Sequence, residues 1–123
     1  MKTLLLITII LLFQSFPSFG EWKHMFTSTK GVKSYVDTDT IRNIDGYTLF
    51  WILIDFKKKD NFGDLSEKSY IKLDCINFRY MYLDRTFFSL PMGKGKSTVD
   101  GPINKWKYPP PKSVGLSWIK TFC

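Results

Sequence analysis

Lysines are the most concentrated residues of this chain that could do chemistry. Lys57, Lys58 and Lys59 are consecutive, Lys94 and Lys96 flank Gly95, and Lys105-Trp106-Lys107-Tyr108 alternates charge with aromatic rings. Clustered ammonium groups attract anionic surfaces, and an adjacent ring adds stacking and cation–π attraction. The chemistry this implies is recognition of polyanionic sugars, lipid headgroups or acidic protein patches by charge plus stacking. Lys57, Lys58, Lys59, Lys94, Lys96, Lys105, Trp106 and Lys107 are therefore the candidate binding residues. Their other reading is a set of solvated lysines, with Trp106 packed on the core.

Catalysis finds no such concentration. The one histidine, His24, stands in a strand-like segment with no cysteine or serine motif beside it. Asp37 and Asp39 read as turn and cap formers. Asp55 and Asp74 read as strand residues with lysine partners rather than as an acid/base pair. Gly93-Lys94-Gly95-Lys96-Ser97-Thr98 echoes a phosphate loop, but its glycine spacing is wrong and it follows Pro91. One histidine and no thiolate cluster leave no metal site. The expectation is a non-enzymatic chain with no catalytic residue, no cofactor and no metal.

The compartment follows from the N-terminus. Lys2 precedes an apolar run, Leu4 to Phe13, and small residues stand at Ser18 and Gly20. This is the pattern of an export signal cut after Gly20. The run is about ten residues, short of the roughly 20 that a spanning helix needs. Both cysteines, Cys75 and Cys123, lie beyond the cut, in a compartment where a disulfide forms and persists. No C-x-x-C spacing suggests redox activity. Residues 21–123 then form one domain, small enough to gain from a staple. The formal charge is +7 for the 123 residues, and +6 once Lys2 leaves with the leader. An exported basic domain meets anionic partners, and no module for specific nucleic-acid recognition is visible.

These residues must be positioned by strands. Glu21–Thr27 alternates, with Trp22, His24 and Phe26 on one face. Lys30-Gly31 is a turn, and Lys33–Asp37 completes a hairpin. Asp37–Ile41 reads as a capped single turn. Asp45-Gly46 is a strong turn dipeptide. Tyr47–Phe56 is almost wholly apolar and suits a central strand covered on both faces. Lys57–Asp64 is a charged loop. Ser69–Phe78 alternates, with Ile71, Leu73 and Cys75 inward, and Arg79–Leu90 pairs antiparallel with it. Pro91–Pro111, rich in proline and glycine, reads as a loop. Ser113 caps a short helix, Val114–Phe122, whose Val114, Trp118 and Phe122 share a face. Gly115 weakens that helix. The fold class expected is α+β: an antiparallel β-sheet with a short C-terminal helix.

Several ordered pieces resemble the bacterial surface-adhesin protein E family: Tyr35-Val36-Asp37 followed by Ile41, Ile54-Asp55-Phe56, Ser69-Tyr70-Ile71-Lys72 with Asp74-Cys75, Met92-Gly93 and the final Cys123. The resemblance covers roughly Trp22 to Cys123. It implies an antiparallel sheet whose C-terminal helix is tethered by Cys75–Cys123, in a bacterial envelope protein of the periplasm or cell surface. It also implies binding to host matrix or serum proteins. The alternative is a periplasmic structural or accessory protein with an envelope partner and no host ligand. An exposed edge strand offers a route to a homodimer.

Overall fold

Turn chemistry and apolar alternation divide the chain into short strands. The computed structural model describes residues 21–123; the expected leader lies outside the described residues. Eight strands form one antiparallel sheet: β1 (Trp22–Thr27), β2 (Lys33–Asp37), β3 (Arg42–Ile44), β4 (Tyr47–Asp55), β5 (Ser66–Asp74), β6 (Arg79–Leu90), β7 (Lys94–Val99) and β8 (Ile103–Lys107). One helix, α1 (Val114–Phe122), completes the described residues. The main path runs β1-β2-β4-β5-β6-β7. β2 and β3 share one side of β4, and β7 and β8 share one side of β6.

Local residues explain the joints. Asp45 and Gly46 have φ of 52° and 82°. Both are left-handed, as the tight turn between β3 and β4 requires. Asp37 caps the single 3-10 turn Thr38–Thr40 by accepting from the Asp39 N–H. Ser113 Oγ accepts from Leu116 N at 3.1 Å and starts α1 where a cap was expected. Lys120 in the last turn suits the helix dipole.

The core lies between α1 and one face of the sheet. Phe50, Ile52 and Ile54 of β4 pack with Val36, Ile71, Leu73 and Tyr82, and Trp118 and Ile119 of α1 close the cluster. Trp118 also donates from Nε1 to Ser34 Oγ at 3.4 Å. Gly115 is buried here because a Cβ would stand 2.7 Å from Tyr80 Cε1. Close helix–sheet approach thus overrides its poor helix propensity. Nine residues make a marginal helix alone. The Cys75–Cys123 disulfide, joining residues 48 apart, ties its end to the sheet.

On the opposite face Leu53 is also fully buried. The 3-10 turn Pro91–Gly93 folds over it, and a side chain at Gly93 would strike the Lys68 stem. The central strand is covered on both faces at this point, as its apolar run suggested.

Four expectations need correction. In β1 the ladder shifts between His24 and Phe26. This β-bulge sets Phe26 opposite Ser34 and His24 opposite Tyr35, so Phe26 does not share the face of His24, and Met25 packs on the core. β5 runs from Ser66 to Asp74, so Cys75 to Phe78 form the turn into β6 rather than a strand end. Arg42–Ile44, not anticipated as a strand, pairs with β4. Pro91–Pro111 is not one loop: it holds a 3-10 turn, β7 and β8. Its prolines fall outside both strands, and pairing with β6 supplies the order that composition hides.

Candidate functional site

Register gathers two of the three basic segments. Thr27↔Lys33, Lys33↔Asp55, Asp55↔Ser66, Ser66↔Phe88 and Leu90↔Lys94 all mark one end of the sheet. The β1–β2 turn with Lys30, the β4–β5 loop with Lys57, Lys58 and Lys59, and the start of β7 with Lys94 and Lys96 therefore project together. Lys57, Lys58, Lys59, Lys94 and Lys96 are exposed. Lys94 and Lys96 belong to a strand and not to a flexible loop.

A hollow of about 850 Å³ opens between Lys30, Val32, Phe56, Lys57, Lys58 and Asp60. A second, of about 390 Å³, adds Lys33 and Gly31 beside Lys57. Gly31 has φ of 82°, and a Cβ there would lie 2.7 Å from Lys57 Cδ, so the Lys57 stem rests on the hairpin. The β4–β5 loop is braced. Asp60 Oδ1 accepts from Phe62 N at 2.9 Å and Asp64 N at 2.8 Å, and Phe56 N donates to Leu65 O at 2.9 Å. The β6–β7 turn is fixed to the same end: Met92 N donates to Asp55 Oδ1 at 3.0 Å, and Gly93 N to Ser66 Oγ at 2.9 Å. The lysines thus rise from ordered backbone, which lowers the entropy lost on binding.

The third segment lies elsewhere. Tyr80↔Lys107 places the end of β8 beside the start of β6, at the opposite end of the sheet. Trp106 stacks on Tyr47 with centroids 5.9 Å apart, and the Arg79 guanidinium sits 4.1 Å from its ring. Lys72 lies 4.1 Å from the Tyr47 ring. These rings are already occupied by internal cations, so Trp106 clamps β8 to the sheet. Lys107 lies 5.3 Å over Tyr82, whereas Lys105 is exposed.

A part-buried ion pair is not evident from the sequence. Arg85 Nε donates to Glu67 Oε2 at 2.8 Å, and Ser69 Oγ donates to the same oxygen at 3.0 Å. The Arg85 guanidinium lies 4.6 Å from the Tyr82 ring and 4.8 Å from Phe87. Burial, then the Glu67 charge, pushes the Tyr82 hydroxyl well above its usual pKa. The pair lines a hollow of about 410 Å³ rimmed by Phe62 and Asp100. Glu67 and Arg85 are 18 positions apart, so only the β5–β6 register reveals them. Among the described residues, no group of three or more His, Cys, Asp or Glu could hold a metal ion.

Comparison with known proteins adds a family and a fold. The family model described as surface-adhesin protein E matches residues 22–123. Crystal form II of Haemophilus influenzae protein E superposes with a TM-score of 0.64 at 15% identity, covering 87% of this chain and 91% of that one. A second structure of Haemophilus influenzae protein E gives 0.62 at 15% identity, covering 87% and 88%. Protein E from non-typeable Haemophilus influenzae gives 0.55 at 14% identity, covering 85% and 77%. No curated protein matches the chain. At these identities the likeness is one of fold.

Proposed function

We propose a non-enzymatic binding role outside the cytoplasm for this chain, which belongs to the surface-adhesin protein E family. The observation that carries this reading is the gathering of Lys57, Lys58, Lys59, Lys94 and Lys96 at one braced end of the sheet. Such a surface suits an acidic patch on a host matrix or serum protein, or a polyanionic glycan. Attraction of this kind speeds encounter and weakens with salt. Trp106 and Lys107 support the fold, and Lys105 stands apart from the proposed surface.

The test is binding of the exported protein to immobilised heparin, and to a panel of matrix and serum proteins, across a salt series. Replacing Lys57, Lys58 and Lys59 with glutamate removes three contacts and opposes each. At a few tenths of a kcal/mol per lost or opposed contact, this comes to about 1.4 kcal/mol, roughly tenfold in affinity. Lys105→Glu should change little. Unchanged affinity in the triple variant would overturn the role of this end. Export belongs to the same proposal, with residues 1–20 as a cleaved leader. Protease shaving of intact cells should degrade the protein if it is displayed. Protection would move its partner into the envelope.

A further inference from the structure

The end of the sheet opposite the lysine loops carries apolar side chains in solvent. Ile76 is 82% exposed and Phe78 62%, both on the β5–β6 turn; Tyr108, after β8, is 66% exposed, and Ile44, ending β3, is 44%. Register sets them in a row. Ile44↔Tyr47 and Thr48↔Leu73 align the ends of β3, β4 and β5. Asp74↔Arg79 closes the β5–β6 turn, and Tyr80↔Lys107 adds the end of β8. Single exposed apolar residues need no account, but several at one end mark a contact surface.

The turn that carries two of them is rigid. Asp74 accepts from Asn77 N, Asn77 Nδ2 and Arg79 Nε. Cys75 is bonded to Cys123 of α1. Phe78 has φ of 49°, a left-handed conformation that is costly for a bulky side chain and persists only where its surroundings impose it. The brace therefore maintains an aromatic ring in water at some conformational cost.

Shape and charge choose the occupant. A stable protein partner needs about 800 Å² of complementary surface on each side, which projecting turn tips do not offer. A bilayer interface accepts side chains dipping roughly 5–10 Å and adds attraction of cations to anionic headgroups. Arg42 and Lys105 are exposed on the strands that reach this end. Asp74 is paired with Arg79, which leaves Asp45 as the exposed acid of the neighbouring turn. We propose that this end is a membrane-contact tip: Ile76 and Phe78 enter the interface of an anionic bilayer, Tyr108 and Ile44 lie at its surface, and Arg42 and Lys105 meet the headgroups. The lysine end would then point away from the membrane. This inference does not rest on the binding role proposed for that end.

The test is sedimentation of the exported protein with vesicles of phosphatidylcholine alone, or mixed with phosphatidylglycerol. The protein should bind the mixed vesicles and bind the neutral ones weakly. Ile76→Ser with Phe78→Asn should weaken binding roughly tenfold or more, since two side chains lose their apolar transfer. Asparagine tolerates the left-handed conformation, so the melting temperature should hold or rise. Glutamate at Lys57, Lys58 and Lys59 should leave vesicle binding nearly unchanged. Two results would overturn the proposal. One is failure to bind mixed vesicles. The other is binding that survives the Ile76/Phe78 variant, whether or not the lysine variant abolishes it.

Discussion

Arg79 Nε donates to Asp74 Oδ2 at 2.8 Å, so the last residue of β5 and the first of β6 lock the turn between them. Asn77 adds its backbone and side-chain N–H groups to the same carboxylate. Asn77 first, and then Arg79, hold the Asp74 pKa at about 2 instead of 3.8. Arg79 is held above its own usual value, chiefly by the hydrogen bond to Asp74.

This carboxylate makes stability depend on acid. A folded pKa below the unfolded one means that the unfolded chain binds the proton more readily, so stability falls as pH falls. The contribution of Asp74 should be complete above about pH 5 and disappear between about pH 4 and pH 2. Urea midpoints measured against pH should show that step in the native protein and a smaller one in Asp74→Asn. An identical step in both would assign the acid loss to another carboxylate.

The disulfide closes a loop of 48 positions. The chain-entropy account gives such a bridge roughly 4 kcal/mol. The non-reduced protein, purified under oxidising conditions, should weigh two hydrogens less than its reduced form. Replacing both cysteines with alanine should lower stability by about 2–5 kcal/mol and expose Trp118 fluorescence to solvent. Two free thiols in the oxidised protein would refute the bridge.

Gly115 tests packing against propensity. Alanine favours a helix by about 1 kcal/mol over glycine. Here its Cβ would meet Tyr80 Cε1 at 2.7 Å, and Tyr80 is itself set edge-on to Trp118 at 5.1 Å. Overpacking of this kind costs about 1–3 kcal/mol. Gly115→Ala should therefore lower the melting temperature by several degrees. A rise would show that α1 can move off the sheet freely.

Trp106 and Lys105 are neighbours with different roles. Trp106→Ala removes the stack on Tyr47 and the seat of Arg79, and should cost about 1–3 kcal/mol. Lys105→Ala should stay within about 0.5 kcal/mol. Chemical denaturation of both variants measures the difference. Equal losses would contradict the clamp.

The parts of this fold legible in the sequence are those set by neighbours in the chain. Ser113 and Leu116 form a cap three residues apart, Asp45-Gly46 forms a turn by itself, and β4 is apolar enough to announce a central strand. β7 was hidden because all six of its residues are exposed, so no alternation betrays it. The bulge at His24 and Phe26 inverts a pattern that looked regular. The lysine-rich end was half legible: the segments could be named, but only strand register shows that Lys57–Lys59 and Lys94 lie at the same end of the sheet while Lys105 does not. The row of Ile44, Ile76, Phe78 and Tyr108 was invisible for the same reason.

Sharing of β4 by β2 and β3, and of β6 by β7 and β8, leaves the sheet without a long border. The outermost strands span six residues in β1, which is bulged, three in β3, six in β7 and five in β8. A foreign strand laid alongside would find at most six consecutive backbone partners before the line broke. Short, bulged edges are how sheets limit pairing with a foreign strand. Crowded copies of the molecule therefore have little continuous edge along which to join their sheets.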